Sequence, residues 1–537
     1  MKKILYTICL AAAPLFFQAC DNLDLKPIDY TPSTSFWQNE AHVNNFMIGL
    51  HNDLREQLGT NHLVYGEYRS EILSTANNVC GTGTKNGALA TNNISESSPR
   101  VTNWGGFYGK ILQVNVLIEQ METGCDFLND DLRNYYKGVA YGLRAYYYFW
   151  LYRSYGGVPL ELEVKVGKGS IGAADLYMER STAEATLTQI KRDVEASLTA
   201  FGNTTQKSKN YYHWSKDASL MLKGEVYLWS AKVSTADNNA SGAHTGNLNE
   251  DDLKTAKSAL TQLTGYALEE DFSKLFKQTG KLKNNEVILA LYFNKDEKEV
   301  GHARGYFHHL LFNGATVVDE DGNLLGDDPI QLFGSGLQYE EYLESFVKAY
   351  DKTDSRRAAT FFEFYGLNKN TGSKKFGCNM LKFFGQNSSG THYFDADVLL
   401  YRYADVILML AEIENALGND CSDYINQIRE RAYGANYTDE VAYVDNGDFA
   451  ANELAILKER DKEFVGEGKR WFDLLRLMDA NEQPLVFSVD ASYQIGEDIA
   501  PVLNKATESY KILWPIDNDL INADPLLKQT VNYPTIH

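Results

Sequence analysis

The sequence predicts an all-α-dominated fold, a tetratricopeptide-like scaffold of helix pairs carrying a loop-rich, partly β ligand-binding face. Three observations predict it. Apolar residues recur at helical spacing over both flanks of the chain. The stretch YADVILMLAEIENALGNDCSDYINQIRERA reads as a helix, a short turn at Gly418–Asp420 and a second helix, although the strict tetratricopeptide signature is absent. Between about 265 and 398, Gly, Asn, Asp and clustered aromatics replace that period, as in RGYFHHLLFNG and FFEFYGLNKNTGSKKFG. Long irregular segments on a large rigid body commonly carry binding residues.

The first element is not part of the fold. Lys2 and Lys3 precede an apolar run from Ile4 to Phe17 that is too short to span a bilayer. Ala19 and Cys20 follow, then acidic and polar residues. The expectation is a cleaved leader over 1–19, with Cys20 as a lipidated first residue that anchors the chain rather than spanning it. Val43, Phe46, Met47, Leu50 and Leu54 then share one face of a helix. A helix is expected over 104–121 and another over 131–153. Ser181 and Glu184 form a capping-box pattern ahead of Leu187, Ile190, Val194 and Leu198. Further helices are expected over 216–233, along Leu253, Ala256, Leu260 and Leu263, and over 399–417 and 452–479.

Charge and cysteines exclude several classes. The net charge is −21 at pH 7, and the leader carries two lysines and no acid, so the mature chain is more acidic still. With no basic stripe to reverse this, nucleic acid is not an expected partner. Of six cysteines, Cys9 leaves with the leader and Cys20 is the anchor. Cys80, Cys125, Cys378 and Cys421 show no CxxC spacing and no histidine pattern, so zinc is not expected. One disulfide or isolated buried thiols both fit an exported protein.

The motifs argue against catalysis. DEDGNLLGDD at 319–328 resembles part of a calcium loop, but its glycine sits one position early and no bidentate Glu follows; a hairpin turn at Asp321–Gly322 is expected instead. Adjacent His308 and His309 cannot share a metal without other ligands. In ERDKEFVGEGKRWFDLLRL, Glu459, Glu463 and Glu467 line one helical face. A glycosidase needs carboxylates about 5–9 Å apart on opposite sides of a sugar bond, which neighbours on one helix cannot supply. With Arg460, Arg470, Asp473 and Arg476 interleaved, an ion-pair network that locks helices together is expected. No GxSxG, P-loop, HExxH or GxGxxG motif is present. The chain is not expected to be an enzyme, nor to need a cofactor.

The order of motifs resembles the SusD/RagB family of outer-membrane lipoproteins. CDNLDLKP followed by SFWQNE is similar to that family's mature N-terminus, WGGFYGKILQVNVLI to its tryptophan–tyrosine–asparagine helix, and GLRAYYYFWLYRSYGGVPL to its arginine–alanine helix. YDKTDSRRAATF, LLYRYADVILMLAEIENALG, INQIRERA, ERDKEFVGEGKRWFDLLRL and LWPIDNDLINADPLLKQ follow in the expected order. Phe17 replaces the usual leucine three residues before the cysteine, and Asp517 stands where the family commonly has proline. The resemblance implies four tetratricopeptide-like helix pairs and a variable loop-rich face. It divides the chain into an N-terminal region, 20–235, and a C-terminal region, 236–537, packed as one body. It also implies an exterior-facing, lipid-anchored outer-membrane protein that acts as the lid of a SusC-like TonB-dependent transporter.

The resemblance leaves the ligand open between oligosaccharide and, as in the RagB branch, peptide. Aromatics at 12%, with 34 tyrosines, favour sugar stacking. The candidate site lies where the polar loop of TNNISESSPRVTNWGGFYGK runs into Trp104, beside Asn103 and two glycines. EYRSEILSTANN adds Glu71 and Asn78, and RGYFHHL offers Tyr306 as a second platform. The alternative for Trp104 is a core residue capping its helix.

Overall fold

Side chains placed by the sequence set where five of the long helices begin. Asn39, Asn129, Thr182, Ser215 and Asn249 each accept a hydrogen bond from a backbone N–H of the first turn. The helices are α1 (Glu40–Leu58), α2 (Gly105–Thr123), α3 (Asp130–Tyr155), α4 (Ala183–Phe201), α5 (Lys216–Lys232), α6 (Glu250–Leu260), α7 (Tyr403–Ala416) and α8 (Ser422–Tyr433). The cap expected from Ser181 is made by Thr182, and Leu263 lies in the turn beyond α6. This computed structural model describes residues 36–79, 83–95, 103–166, 172–203, 210–234, 248–308 and 316–533. The leader, Cys20, Cys80 and His309 lie outside the described residues.

Each helix packs on the next, giving the four pairs α1–α2, α3–α4, α5–α6 and α7–α8 of a tetratricopeptide-like body. α6 also rests on α7, although the whole loop-rich segment lies between them in sequence. The pairs are pinned by polar as well as apolar groups. Arg144 of α3 holds Asp193 of α4 through two parallel bonds of 2.7 Å and reaches Asn115 of α2 at 2.9 Å. Gly142 lets Trp214 press on the α3 backbone, since a Cβ there would overlap the indole. One continuous apolar core runs from Val43 to Tyr533.

The loop-rich segment supplies the strands. β1 (Val287–Leu291), β2 (Val317–Val318), β3 (Phe361–Leu367), β4 (Lys374–Met380), β5 (Gln386–Ser388), β6 (Thr391–Tyr393) and β7 (Val398–Arg402) form three small antiparallel sheets, β1–β7, β2–β3–β4 and β5–β6. The first four residues of the helix expected at 399–417 are therefore strand, because β1 offers them an edge. The turn expected at Asp321–Gly322 is present: Gly322 has φ +95° and donates to the Asp319 carbonyl at 3.2 Å.

The helix expected over 452–479 is two helices, α9 (Phe449–Phe464) and α10 (Arg470–Arg476). The break falls at Gly466 and Gly468, with φ of +79° and +69°. Glu467 thus leaves the face of Glu459 and Glu463, yet all three carboxylates join one buried ion-pair network, as expected. Arg402 reaches Glu286 at 2.7 Å, Glu463 at 2.5 Å and Glu467 at 2.9 Å. Arg356 holds Asp354, Glu459 and Glu463 at 2.7, 2.8 and 3.0 Å. Arg431 pairs with Glu286 and Glu463, and Lys382 with Glu467 at 2.8 Å. Burial alone would raise the Glu463 carboxyl, but Arg431, Arg402 and Arg356 hold it well below the usual carboxylate range.

The glycine turn is closed from outside by Glu67. Its carboxyl accepts from the amides of Gly466 at 2.8 Å and Gly468 at 3.3 Å, and from the Tyr342 hydroxyl at 2.6 Å. Burial pushes this carboxyl up to about 7 from 4.5, against those three donors. A carboxyl raised on folding contributes stability that is complete below its unfolded value and is lost as pH rises through its folded one. Glu67→Gln removes that dependence. The stability gap between wild type and variant, measured by urea melts, should shrink by about 2–3 kcal/mol from about pH 5 to about pH 8. A gap that is flat or grows with pH contradicts the assignment.

Candidate functional site

The loop-rich face is assembled from segments far apart in sequence. Residues 72–74 pair with 341–343 through Leu73 and Tyr342, with Ser74 N–H donating to the Glu341 carbonyl at 2.8 Å and Leu343 N–H to the Ile72 carbonyl at 2.9 Å. Loop 83–87 is clasped onto strand-like residues 337–341. Lys85 N–H donates to the Tyr339 carbonyl at 3.2 Å. The Thr84 hydroxyl and the Asn86 amide, the latter at 2.7 Å, donate to the buried Glu340 carboxylate. Burial pushes the carboxyls of Glu340 and Glu341 up to about 7.

Tyr339 is the aromatic that this frame leaves open. Its ring is half-buried, with Gly305 on one side and the exposed Lys85 ammonium 4.5 Å from its centroid. Asn77 and Arg304 are exposed on segments that pack around it. A flexible lysine over a tyrosine, among amides and a guanidinium, is a surface on which a sugar ring can replace the ammonium. The sequence reading missed Tyr339, which follows Gln338 and precedes two acids in GLQYEEY, without the flanking polar loop that drew attention to Trp104.

Three of the expected site residues lie beneath this face. Asn78 is buried and donates to the Gln338 carbonyl at 3.1 Å. Glu71 has φ +73° and accepts from the Ser492 hydroxyl at 2.7 Å. Tyr306 is 1% exposed, stacked at 5.8 Å on Tyr342 and 5.1 Å from Phe383, with its hydroxyl 3.3 Å from that of Tyr68. The open second platform expected at Tyr306 is thus a core side chain, and Asn78 and Glu71 hold the loops in place.

Trp104 and Asn103 lie elsewhere, at the start of α2. Asn103 is exposed and accepts from the Gly105 amide at 2.9 Å. Trp104 is 3% exposed, edge-on to Tyr155 at 5.0 Å and 5.9 Å from both Tyr108 and the Arg180 guanidinium. Its ring has no open face for stacking, so the core alternative describes its place. It contributes instead to the lining of an apolar groove of about 510 Å³ between α2, residues 159–166, residues 173–178 and residues 520–527.

The remaining motifs do not build chemistry. His308 is buried 3.7 Å from Glu341, and its backbone amide donates to Asn379 at 3.0 Å. Cys125, Cys378 and Cys421 are buried free thiols. Among the described residues, no group of three or more His, Cys, Asp or Glu is placed to hold a metal ion. None of the helices among those residues is long and apolar enough to cross a membrane.

Comparison with known proteins converges on one family. Residues 285–533 match the SusD family, and residues 21–228 match a family described as starch-binding and associating with the outer membrane. A SusD superfamily protein of Bacteroides fragilis is 36% identical and superposes with a TM-score of 0.83, covering 93% of this chain and 100% of that one. B. fragilis NanU is 31% identical with a TM-score of 0.77, covering 95% and 100%. SusD-like protein P38 of Formosa agariphila is 25% identical over 99% of both chains. With matches at both ends and a 36% identical structure covered along its whole length, the chain belongs to the SusD family.

Proposed function

We propose that the protein is a non-catalytic glycan-binding lipoprotein of the cell surface that captures oligosaccharide on the Tyr339 face. The half-buried Tyr339 ring, framed by polar loops clasped through Glu340, carries the reading. The N-terminal match to a family described as starch-binding supports it. Catalysis has no support from the densest acidic stretch, since Glu459, Glu463 and Glu467 are each spent on buried cations.

The test compares two aromatics by affinity electrophoresis against a panel of polysaccharides. Base-type stacking is worth about 1–3 kcal/mol, so Tyr339→Ala should weaken binding about tenfold with little change in Tm. Trp104→Ala should instead lower stability by about 3–5 kcal/mol, as for other buried large rings. Intact affinity in Tyr339→Ala, with loss in a folded Trp104→Ala, would move the site to the groove. Binding of peptides but of no glycan would replace the ligand class with that of the RagB branch.

The same proposal places the protein at the outer membrane, anchored through Cys20 and facing outward, with its helical body over the mouth of a SusC-like TonB-dependent barrel. Stable anchoring takes at least two acyl chains. Detergent extracts of wild-type membranes should yield the protein together with the barrel, and Cys20→Ala in cells lacking the barrel should appear in the aqueous fraction. A monomeric wild-type protein, or a Cys20→Ala variant that stays with the membrane alone, contradicts this placement.

A further inference from the structure

A small cavity of about 30 Å³ lies where α3 and α5 meet β7, the glycine turn, α9 and α10. Three side chains that line it carry N–H groups for which the described residues supply no acceptor. The Trp150 indole N–H has none in line with it, although the Tyr146 hydroxyl lies beside it. Arg153 spends Nη1 on Glu225 at 2.5 Å and lies between the rings of Phe149 and Phe472, at 4.1 and 4.0 Å, but its Nε–H is unmet. Arg460 has Nε 2.8 Å from Asp473, and its Nη1 is unmet. Each of the three residues is 4% exposed. A buried donor without an acceptor costs about 1–3 kcal/mol, so three around one cavity call for a ligand.

The same cavity holds an acceptor without a donor. His62, in the short helix Asn61–Gly66, lines it and is 1% exposed. Its Nδ1 lies 2.8 Å from the Leu58 carbonyl and so carries a proton. Burial pushes the ring down to about 4, which leaves it neutral at pH 7 with Nε2 as a bare acceptor. The nearby Gly466 carbonyl, an acceptor too, cannot meet it. The charges around the cavity exclude ions of either sign. Arg153, Arg460, Lys469 and Arg476 repel a cation, while Glu225, Glu467 and Asp473 repel an anion. Asp405 stands behind, paired with Arg460 and Lys469. What remains is a small neutral molecule that both accepts and donates. A water needs about 10–15 Å³ by this measure and two to four polar partners. We infer that the cavity is a binding site for one or two ordered waters, which accept from Trp150, Arg153 and Arg460 and donate to His62. The waters then bridge α3 and the helix of His62 to α9, elements from opposite ends of the chain, as a built-in part of the joint. The site is apart from the Tyr339 face, and the inference does not rest on the glycan reading.

The test is a crystal structure of the full mature chain, grown with bromide in place of chloride. Water-like density is expected in the cavity, within about 3.2 Å of Trp150 Nε1 and of at least one among Arg153 Nε, Arg460 Nη1 and His62 Nε2, with no anomalous signal from bromide. In solution, the Trp150 indole proton, assigned by its absence in Trp150→Phe, should show direct cross-relaxation with water. If that variant fails to fold, the crystal structure alone decides. An empty cavity overturns the inference. So does a bromide peak, which would make the ligand an anion, or a protein donor and acceptor found closing on these atoms directly. A Trp150 indole proton without contact to water overturns it as well.

Discussion

The Arg402 guanidinium, wholly buried at the end of β7, is the interaction on which the loop-bearing half of the molecule depends. A cation taken this far from water costs several kcal/mol unless its donors are all met. Here they are met by carboxylates from three places: Glu286 before β1, Glu463 in α9 and Glu467 in the glycine turn. Each of those carboxylates is in turn shared with a second cation, so no member of the network can leave without stranding a neighbour. A guanidinium fork fixes direction as well as distance. The β1–β7 pair, α8, α9 and the short helix Ser355–Thr360 that carries Arg356 are therefore held in one register, where apolar packing alone would tolerate sliding.

A second set of buried ion pairs lies in the helical body. Lys232 of α5 sits between Glu412 of α7 and Glu453 of α9 at 2.8 and 2.6 Å, and Arg476 of α10 reaches Glu412 at 2.8 Å. The Arg402 network reaches the Tyr339 face through Glu467 in the glycine turn. Gly468 lies so close to the His62 carbonyl that a Cβ would overlap it, which brings the turn within reach of Glu67. Glu67 binds Tyr342, Tyr342 pairs with Leu73, and Tyr339 lies three residues before Tyr342. The loop that carries Tyr339 is thus tied by short steps to the buried charges, which would leave little ordering to do for the ligand proposed to bind there.

Much of this was legible in the sequence because helices advertise themselves locally. The periods at Val43–Leu54 and Leu187–Leu198 and the turn near Gly418 sit where expected, and the charge pattern of 459–477 announced an ion-pair network. The misses are non-local. Nothing in VLLYRYADVILML separates a buried strand from the first turn of a helix; the β1 partner more than a hundred residues earlier decides it. The break at Gly466 depends on Glu67 arriving from the other end of the chain. A tryptophan in a polar stretch looks exposed, yet Tyr155 and Arg180 cover Trp104, while Tyr339 stays half-buried because loop 83–87 holds its backbone and sets only the Lys85 side chain over its ring. Burial is a property of the assembled surface and carries no local signature.

The central claim, that the buried charges act as one unit, is tested most directly by a double-mutant cycle on Arg402 and Glu463 in urea. Arg402→Met alone should cost about 3–5 kcal/mol, because it leaves carboxylates buried without their partner. Adding Glu463→Gln should recover part of that loss, giving a coupling of at least about 1 kcal/mol. Two substitutions that add within about 0.5 kcal/mol would show that the pairs stand independently, and would contradict the account.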